Sequence, residues 1–264
     1  MVLAIPSVIP SVSASKKIIS VLLSTKTIFT PKSFSNTPLT LVKEVFIAES
    51  TAAFLSSSVA EDSTPCLFKW NWEYSGLLQS RGIIGFTDGI KTIQNTRLMS
   101  RIMNSAKDLG TLIMQHAEDY ELSKNGMINS GIIATKLGLS GISSVAEWII
   151  IERDLTILEN IKCRYHISQI SAAKSIEIIK ERKEKVKFTT GVSINNLSLN
   201  ENDIGDFRTF LKLSPPLRTE EDRIGLVQGL KDGTIDVIVS DHKPEDEEQK
   251  RLTFAQAATG ASGI

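Results

Sequence analysis

Cysteine is scarce in this sequence. Only Cys66 and Cys163 occur among 264 residues, far apart and outside any C-x-x-C spacing. That excludes a disulfide scaffold and a zinc ribbon and fits a reducing cytosol. Long apolar runs are also missing. No stretch approaches the roughly 18 consecutive apolar residues of a membrane span, and Pro6, Pro10, Lys16 and Lys17 interrupt the apolar patches near the N-terminus. A soluble, cytoplasmic protein is the expectation. Net charge is absent as well, since 30 Lys plus Arg balance 30 Asp plus Glu. With no global field and no basic face interleaved with aromatics, nucleic acid and anionic membranes are excluded as partners, leaving a small molecule or another protein. There is no G-x-x-x-x-G-K-[ST] loop, no G-x-G-x-x-G after a strand and no G-x-S-x-G elbow, so nucleotide-binding and serine-hydrolase classes lack their anchors.

Acidic residues are themselves missing before Glu44, where Ser, Thr and Pro crowd the text and Arg is absent too. This composition is open to three readings: a transit peptide, an irregular extension, or a segment from a shifted reading frame. Residues 1–75 are therefore set apart as an irregular Ser/Thr-rich N-terminal segment, and 76–264 as the folded region. At 41% hydrophobic residues the chain is rich enough to bury a substantial core.

From about Gly76 short apolar runs alternate with punctuated helices. Strands are predicted at Ile83 to Phe86, Thr111 to Met114, Arg164 to Ile167, Phe188 to Val192 and Ile235 to Val239, each continuous enough to be buried on both faces. The first helix runs from Thr96 to Leu109 and stops at Gly110. The second follows Gly141, with Ser144 and Glu147 read as a capping box. The third starts near Ser171 and ends in the basic run KERKEK, a solvated face. The fourth has Thr219 and Asp222 as its capping box and ends at Lys231-Asp232-Gly233. Alternating β and α units with right-handed crossovers imply a parallel sheet, either doubly wound or closed into a barrel.

Chemistry in such folds gathers at the C-terminal ends of the strands. Each predicted strand runs into polar residues there: Thr87-Asp88-Gly89, His116-Ala-Glu118-Asp119, Gln169 and Ser171, Ser193 with Asn195-Asn196, and Ser240-Asp241-His242. Asp88, His116 and Asp241 are natural ligands for a divalent metal at that mouth. A hydrolytic pair of ions needs more, roughly six to eight protein contacts. The remaining histidine, His166, lies within a strand and reads as core.

The segments GFTDG, LIMQHAED, YHISQIS, SPPLRTEEDR and DVIVSDHKP, in this order and spacing, closely resemble the dihydroorotases of the cyclic amidohydrolase superfamily. The resemblance covers about Gly76 to Ile264. It implies strands four to eight of a partial (β/α)₈ TIM barrel of the metal-dependent amidohydrolase type. It implies zinc as the cofactor, and reversible hydrolysis of dihydroorotate to N-carbamoyl-aspartate in pyrimidine biosynthesis. By position, Asp88 resembles the bridging metal carboxylate, His116 a metal ligand, and Asp241 a metal ligand that also serves as the catalytic acid and base.

Departures from the family pattern accompany these matches. The H-x-H-x-R signature of the first barrel strand occurs nowhere, and Gln169 stands where a ligand histidine is usual. Ser214 takes the place of a substrate-binding asparagine, and Glu245 that of a histidine that meets the substrate carboxylate. The text also stops at Gly263-Ile264, before the last barrel helix. The expectation is therefore a dihydroorotase-like enzyme of impaired activity. The alternatives are a non-catalytic relative that partners aspartate carbamoyltransferase or a second copy of itself, and a decayed gene product. Allantoinase-like or hydantoinase-like specificity stays open.

Overall fold

In a computed structural model of the 264-residue chain, the backbone of residues 47–49 and residues 83–262 are described. The readings of the rest of 1–75, Cys66 among them, and of the end at Gly263-Ile264 lie outside the described residues. Six strands form one sheet: β1 (Ile47–Glu49), β2 (Gly85–Thr87), β3 (Leu112–Gln115), β4 (Arg164–Ile170), β5 (Thr189–Ser193) and β6 (Val237–Val239). Their spatial order is their chain order, and every neighbouring pair is parallel. β1 falls in the stretch that offered no consistent local signal, yet pairs Ala48 with Phe86 of β2.

A doubly wound sheet reverses strand order at its switch point, whereas here each crossover steps the same way. Right-handed crossovers then put the crossover helices on one face, which is how a barrel wall is built. The helices α1 (Thr96–Leu109), α2 (Val145–Ile161), α3 (Ala173–Lys183) and α4 (Glu220–Lys231) pack in that sequence, each against the next.

α1 forms where predicted. Asn95 caps it by accepting from the Leu98 amide at 2.9 Å, and Gly110 ends it at φ 66°, a conformation that costs a residue with Cβ. Its buried residues Met99, Ile102, Met103 and Ala106 recur at helical spacing. They join Phe86, Ile113, Tyr165, Ile167, Ile170 and Val192 from the strands in the main core, where each large aliphatic side chain contributes about 1.5–3 kcal/mol. α4 has its capping box, with Thr219 Oγ1 and Asp222 each satisfying the other's amide. The basic run ending α3 is spent on neighbours: Arg182 pairs with Glu152 and Glu159 of α2, and Lys183 with Asp236 at 2.6 Å.

The start of α2 corrects the sequence. Ser144 makes no side-chain cap bond there. Glu147, only 2% exposed, turns inward and accepts from the Ser171 and Ala172 amides and from Ser175 Oγ at 2.5 Å. A carboxylate can satisfy a helix's free amides from another element as well as from its own, and Glu147 does so at the start of α3 instead of α2. Deeper along α2, the fully buried Asp154 accepts from Arg153 Nε at 2.8 Å and from Gln115 Nε2 and Tyr165 Oη, each at 2.7 Å, tying α2 to β3 and β4.

A second, smaller core gathers Ile128, Ala134, Ile204, Leu213, Leu217 and Phe254. These residues belong to segments that leave the C-terminal ends of β3, β5 and β6, so this core lies over the rim where those strands end.

Candidate functional site at the strand ends

Parallel register brings the polar strand ends to one rim. Thr87 lies beside Met114, Gln115 beside Ile167, Ile170 beside Val192, and Ser193 beside Val239. Residues just beyond these positions share an edge although up to 153 positions separate Asp88 from Asp241 in the chain.

At the end of β3, strand alternation separates two neighbours. Gln115 is taken up on the helix side by Asp154 and by the Ile93 amide at 3.3 Å. His116 is left for the opposite side, 5% exposed, with Nε2 at 3.2 Å from Glu118 Oε2. Thr92 fixes the turn between them: its hydroxyl donates to the His116 carbonyl at 2.7 Å and accepts from the Glu118 amide at 3.0 Å. The same Glu118 Oε2 accepts from Ser214 Oγ at 3.3 Å. Burial pushes the Glu118 carboxyl up, but His116 and the hydroxyls of Ser123 and Ser214 outweigh it and hold it below the ordinary glutamate range. Asp119 behaves as an ordinary cap, accepting from the Leu122 amide at 3.0 Å.

β4 carries an irregularity between Ile167 and Ile170. Tyr165, Ile167 and Ile170 all enter the helix-side core, which strict alternation would forbid. The bulge absorbs the odd residue and turns buried Gln169 away from that core. On the same side, His166 Nδ1 lies 2.7 Å from Thr189 Oγ1. Burial lowers His166 to about 4, so it is a neutral interior group, as its place within the strand suggested.

Across the rim, Ser193 Oγ donates to Asp241 Oδ2 at 3.3 Å and accepts from the Asn195 amide at 3.2 Å. Asp241 is in the left-handed region at φ 51°, which Asp tolerates better than most residues. Asn196 Nδ2 donates to the Pro216 carbonyl at 3.0 Å, holding the Ser214 segment from this side. Glu245 Oε1 has Lys243 Nζ at 4.0 Å, which offsets its charge. Asp88 opens the turn after β2, where the Lys91 amide donates to its carbonyl at 3.2 Å.

The rim thus joins His116 to Ser214 through Glu118, and Asp241 to Ser193. Among the described residues it does not assemble a zinc pair. No group of three or more His, Cys, Asp or Glu side chains among the described residues could hold a metal ion. The whole chain has 3 histidines, of which His166 is within β4 and His242 is exposed in a bridge to Ala261. The donor set is thus short of the nitrogen ligands that such a pair uses. Glu118 is the site residue that sequence reasoning passed over. Its spacing of two from His116 was visible, but its second partner, Ser214, is 96 positions away.

The chain is similar to known proteins in sequence and in fold. Residues 72–175 match the family described as Dihydro-orotase-like. The dihydroorotase of Ehrlichia chaffeensis is 42% identical over 190 residues, covering 71% of this chain and 42% of that protein. That of Thermoanaerobacter sp. is 40% identical over 188 residues, covering 71% and 44%. The chain therefore spans less than half the length of these relatives. Among solved structures, the L-hydantoinase (dihydropyrimidinase) of Arthrobacter aurescens matches with a TM-score of 0.62 at 21% identity, over 74% of this chain and 46% of that one. The Saccharomyces cerevisiae dihydroorotase in complex with 5-fluoroorotic acid matches at 0.55 and 14% identity, over 72% and 54%. These two likenesses establish the fold alone, an α/β barrel wall.

Proposed function

Starting from this likeness to dihydroorotases, we propose that the chain is a dihydroorotase-like protein whose rim binds the cyclic amide but whose ring hydrolysis is impaired. The observation that carries the reading is the Glu118 bridge. It brings His116 and Ser214, a metal-ligand position and a substrate position of the family pattern, into one hydrogen-bonded group. Asp241 and Ser193 face the same rim, so carboxylate and hydroxyl oxygens that could accept from the N–H groups of a ureide ring are present.

Zinc, when bound in this family, polarises the ring carbonyl and supplies a nucleophilic water. The residues present do not fit a zinc pair. What remains to this chain is recognition. The hydroxyl oxygens of Ser214 and Ser193, whose protons go to Glu118 and Asp241, can accept from ring N–H groups, and Lys243 beside Glu245 moderates repulsion of the substrate carboxylate.

The test combines calorimetry with dihydroorotate and N-carbamoyl-aspartate, zinc analysis, and a ring-opening assay with zinc added. Binding with turnover near the uncatalysed rate is the expected result. Stoichiometric zinc with rapid ring opening would overturn the impairment, and binding of neither compound would overturn the site.

Gln169 at a ligand position favours a second reading, a non-catalytic relative that associates with aspartate carbamoyltransferase. Co-purification of the two proteins is the discriminating observation, and failure to associate removes this reading.

A further inference from the structure

Arg218 is a charged side chain left 4% exposed in a place the rim chemistry does not use. Its Nε donates to Ser171 Oγ at 3.1 Å, and its Nη1 donates to Asn129 Oδ1 at 2.7 Å and to the Ile142 carbonyl at 2.5 Å. Both side-chain partners pass on to a buried carboxylate. Ser171 Oγ donates to Glu147, and Asn129 Nδ2 donates to Glu201 Oε2 at 2.6 Å. The backbone closes the circuit, for the Glu201 amide donates to the Arg218 carbonyl at 2.8 Å. One guanidinium thus joins the end of β4, the strand pair Ile128–Asn129 and Gly141–Ile142, and the 3₁₀ turn Glu201–Ile204.

Arg218 ends the segment that begins at Ser214. Leu217 within the segment and Leu213 just before it are buried in the second core, and the Pro216 carbonyl is held by Asn196. The segment meets the His116 group through Ser214 to Glu118 at 3.3 Å, a long hydrogen bond that a small displacement would break.

We propose that Arg218 is a positioning residue, whose fork between Ser171 and Asn129 holds the 214–218 segment so that Ser214 meets Glu118. Only a planar group with several donors can bond both partners in fixed directions, and a lysine ammonium cannot. The placement of Ser214 stands on geometry alone, whereas its consequence for ligand binding rests on the dihydroorotase reading.

Arg218→Lys and Ser171→Ala in the full chain test this, the second keeping the charge in place should the first fail to fold. Crystal structures are expected to show Ser214 Oγ beyond hydrogen-bond reach of Glu118 in the variants. A Ser214–Glu118 contact unchanged in both would overturn the proposal. A double-mutant cycle with Ser214→Ala supplies a readout that general destabilisation would not move. Dihydroorotate affinity is expected to fall about tenfold on Arg218→Lys, but less than about twofold when Ser214 is already alanine. Equal losses in both backgrounds would mean that Arg218 does not act through Ser214. If the unsubstituted protein binds no dihydroorotate, the functional reading fails, and the Ser214–Glu118 distance alone decides the role of Arg218.

Discussion

His116 Nε2 and Glu118 Oε2 lie 3.2 Å apart at the end of β3, with Thr92 fixing the turn between them. If this contact orients the imidazole and holds Ser214 beside it, Glu118→Ala should weaken dihydroorotate binding by about tenfold. Glu118→Gln, which keeps a hydrogen-bonding oxygen, should cost less. Calorimetry on both variants checks this, and an alanine variant with full affinity would sink the role assigned to Glu118.

Asp154 is fully buried and gathers Arg153, Gln115 and Tyr165. Removing it takes an acceptor from the half-buried Arg153 and leaves the buried Gln115 amide and Tyr165 hydroxyl without their shared partner. Asp154→Ala is expected to destabilise the fold by about 3 kcal/mol or more in urea titrations. A loss within about 0.5 kcal/mol, the range of an ordinary surface change, would refute the account of α2 docking.

Burial holds His166 at about 4, against 6.5 for the free side chain. Because the folded value is depressed, the unfolded chain binds the proton first as pH falls. His166 therefore favours the folded state above about pH 6.5, and that contribution is lost between about 6.5 and 4. The difference is about 3 kcal/mol. Unfolding free energies of His166→Gln and the unsubstituted chain, compared across this window, should show a shallower acid decline in the variant. Parallel profiles would mean that His166 is not the group responsible.

Gly191 shows how closely β4 and β5 approach. A Cβ there would stand 2.3 Å from the Ser168 carbonyl oxygen, a backbone atom with little freedom to move. Gly191→Ala is expected to lower stability by about 2 kcal/mol or more. A melting temperature equal to that of the unsubstituted chain would contradict the described packing at the bulge.

Restoring one histidine should not restore a zinc pair. Gln169→His adds a nitrogen at the β4 irregularity, but the H-x-H pair has no counterpart among the chain's 3 histidines. Elemental analysis of the variant should find less than one zinc per chain, and two tightly held ions would show that other residues complete the site.

Much of the scaffold was legible because local chemistry writes it. Apolar runs marked β2 to β6, Gly110 marked the end of α1, and Thr219 with Asp222 marked the start of α4, since caps and burial periodicity act over a few residues. The same local logic misplaced Glu147. A Ser-x-x-Glu spacing is compatible with a cap, and only the approach of β4 and α3 offered that carboxylate more donors than its own helix could.

The sequence by itself determined the alternation of strands and helices, the polar residues that end each strand, and the lack of histidines for a metal pair. These follow from composition and short spacings. The tertiary structure decided which of those polar residues meet. Chain-ordered parallel pairing set one rim, the β4 bulge turned Gln169 away from the helix-side core, and Arg218 and Glu118 tied together segments tens of positions apart. Such contacts depend on register and on the packing of whole elements, which no local run of residues encodes.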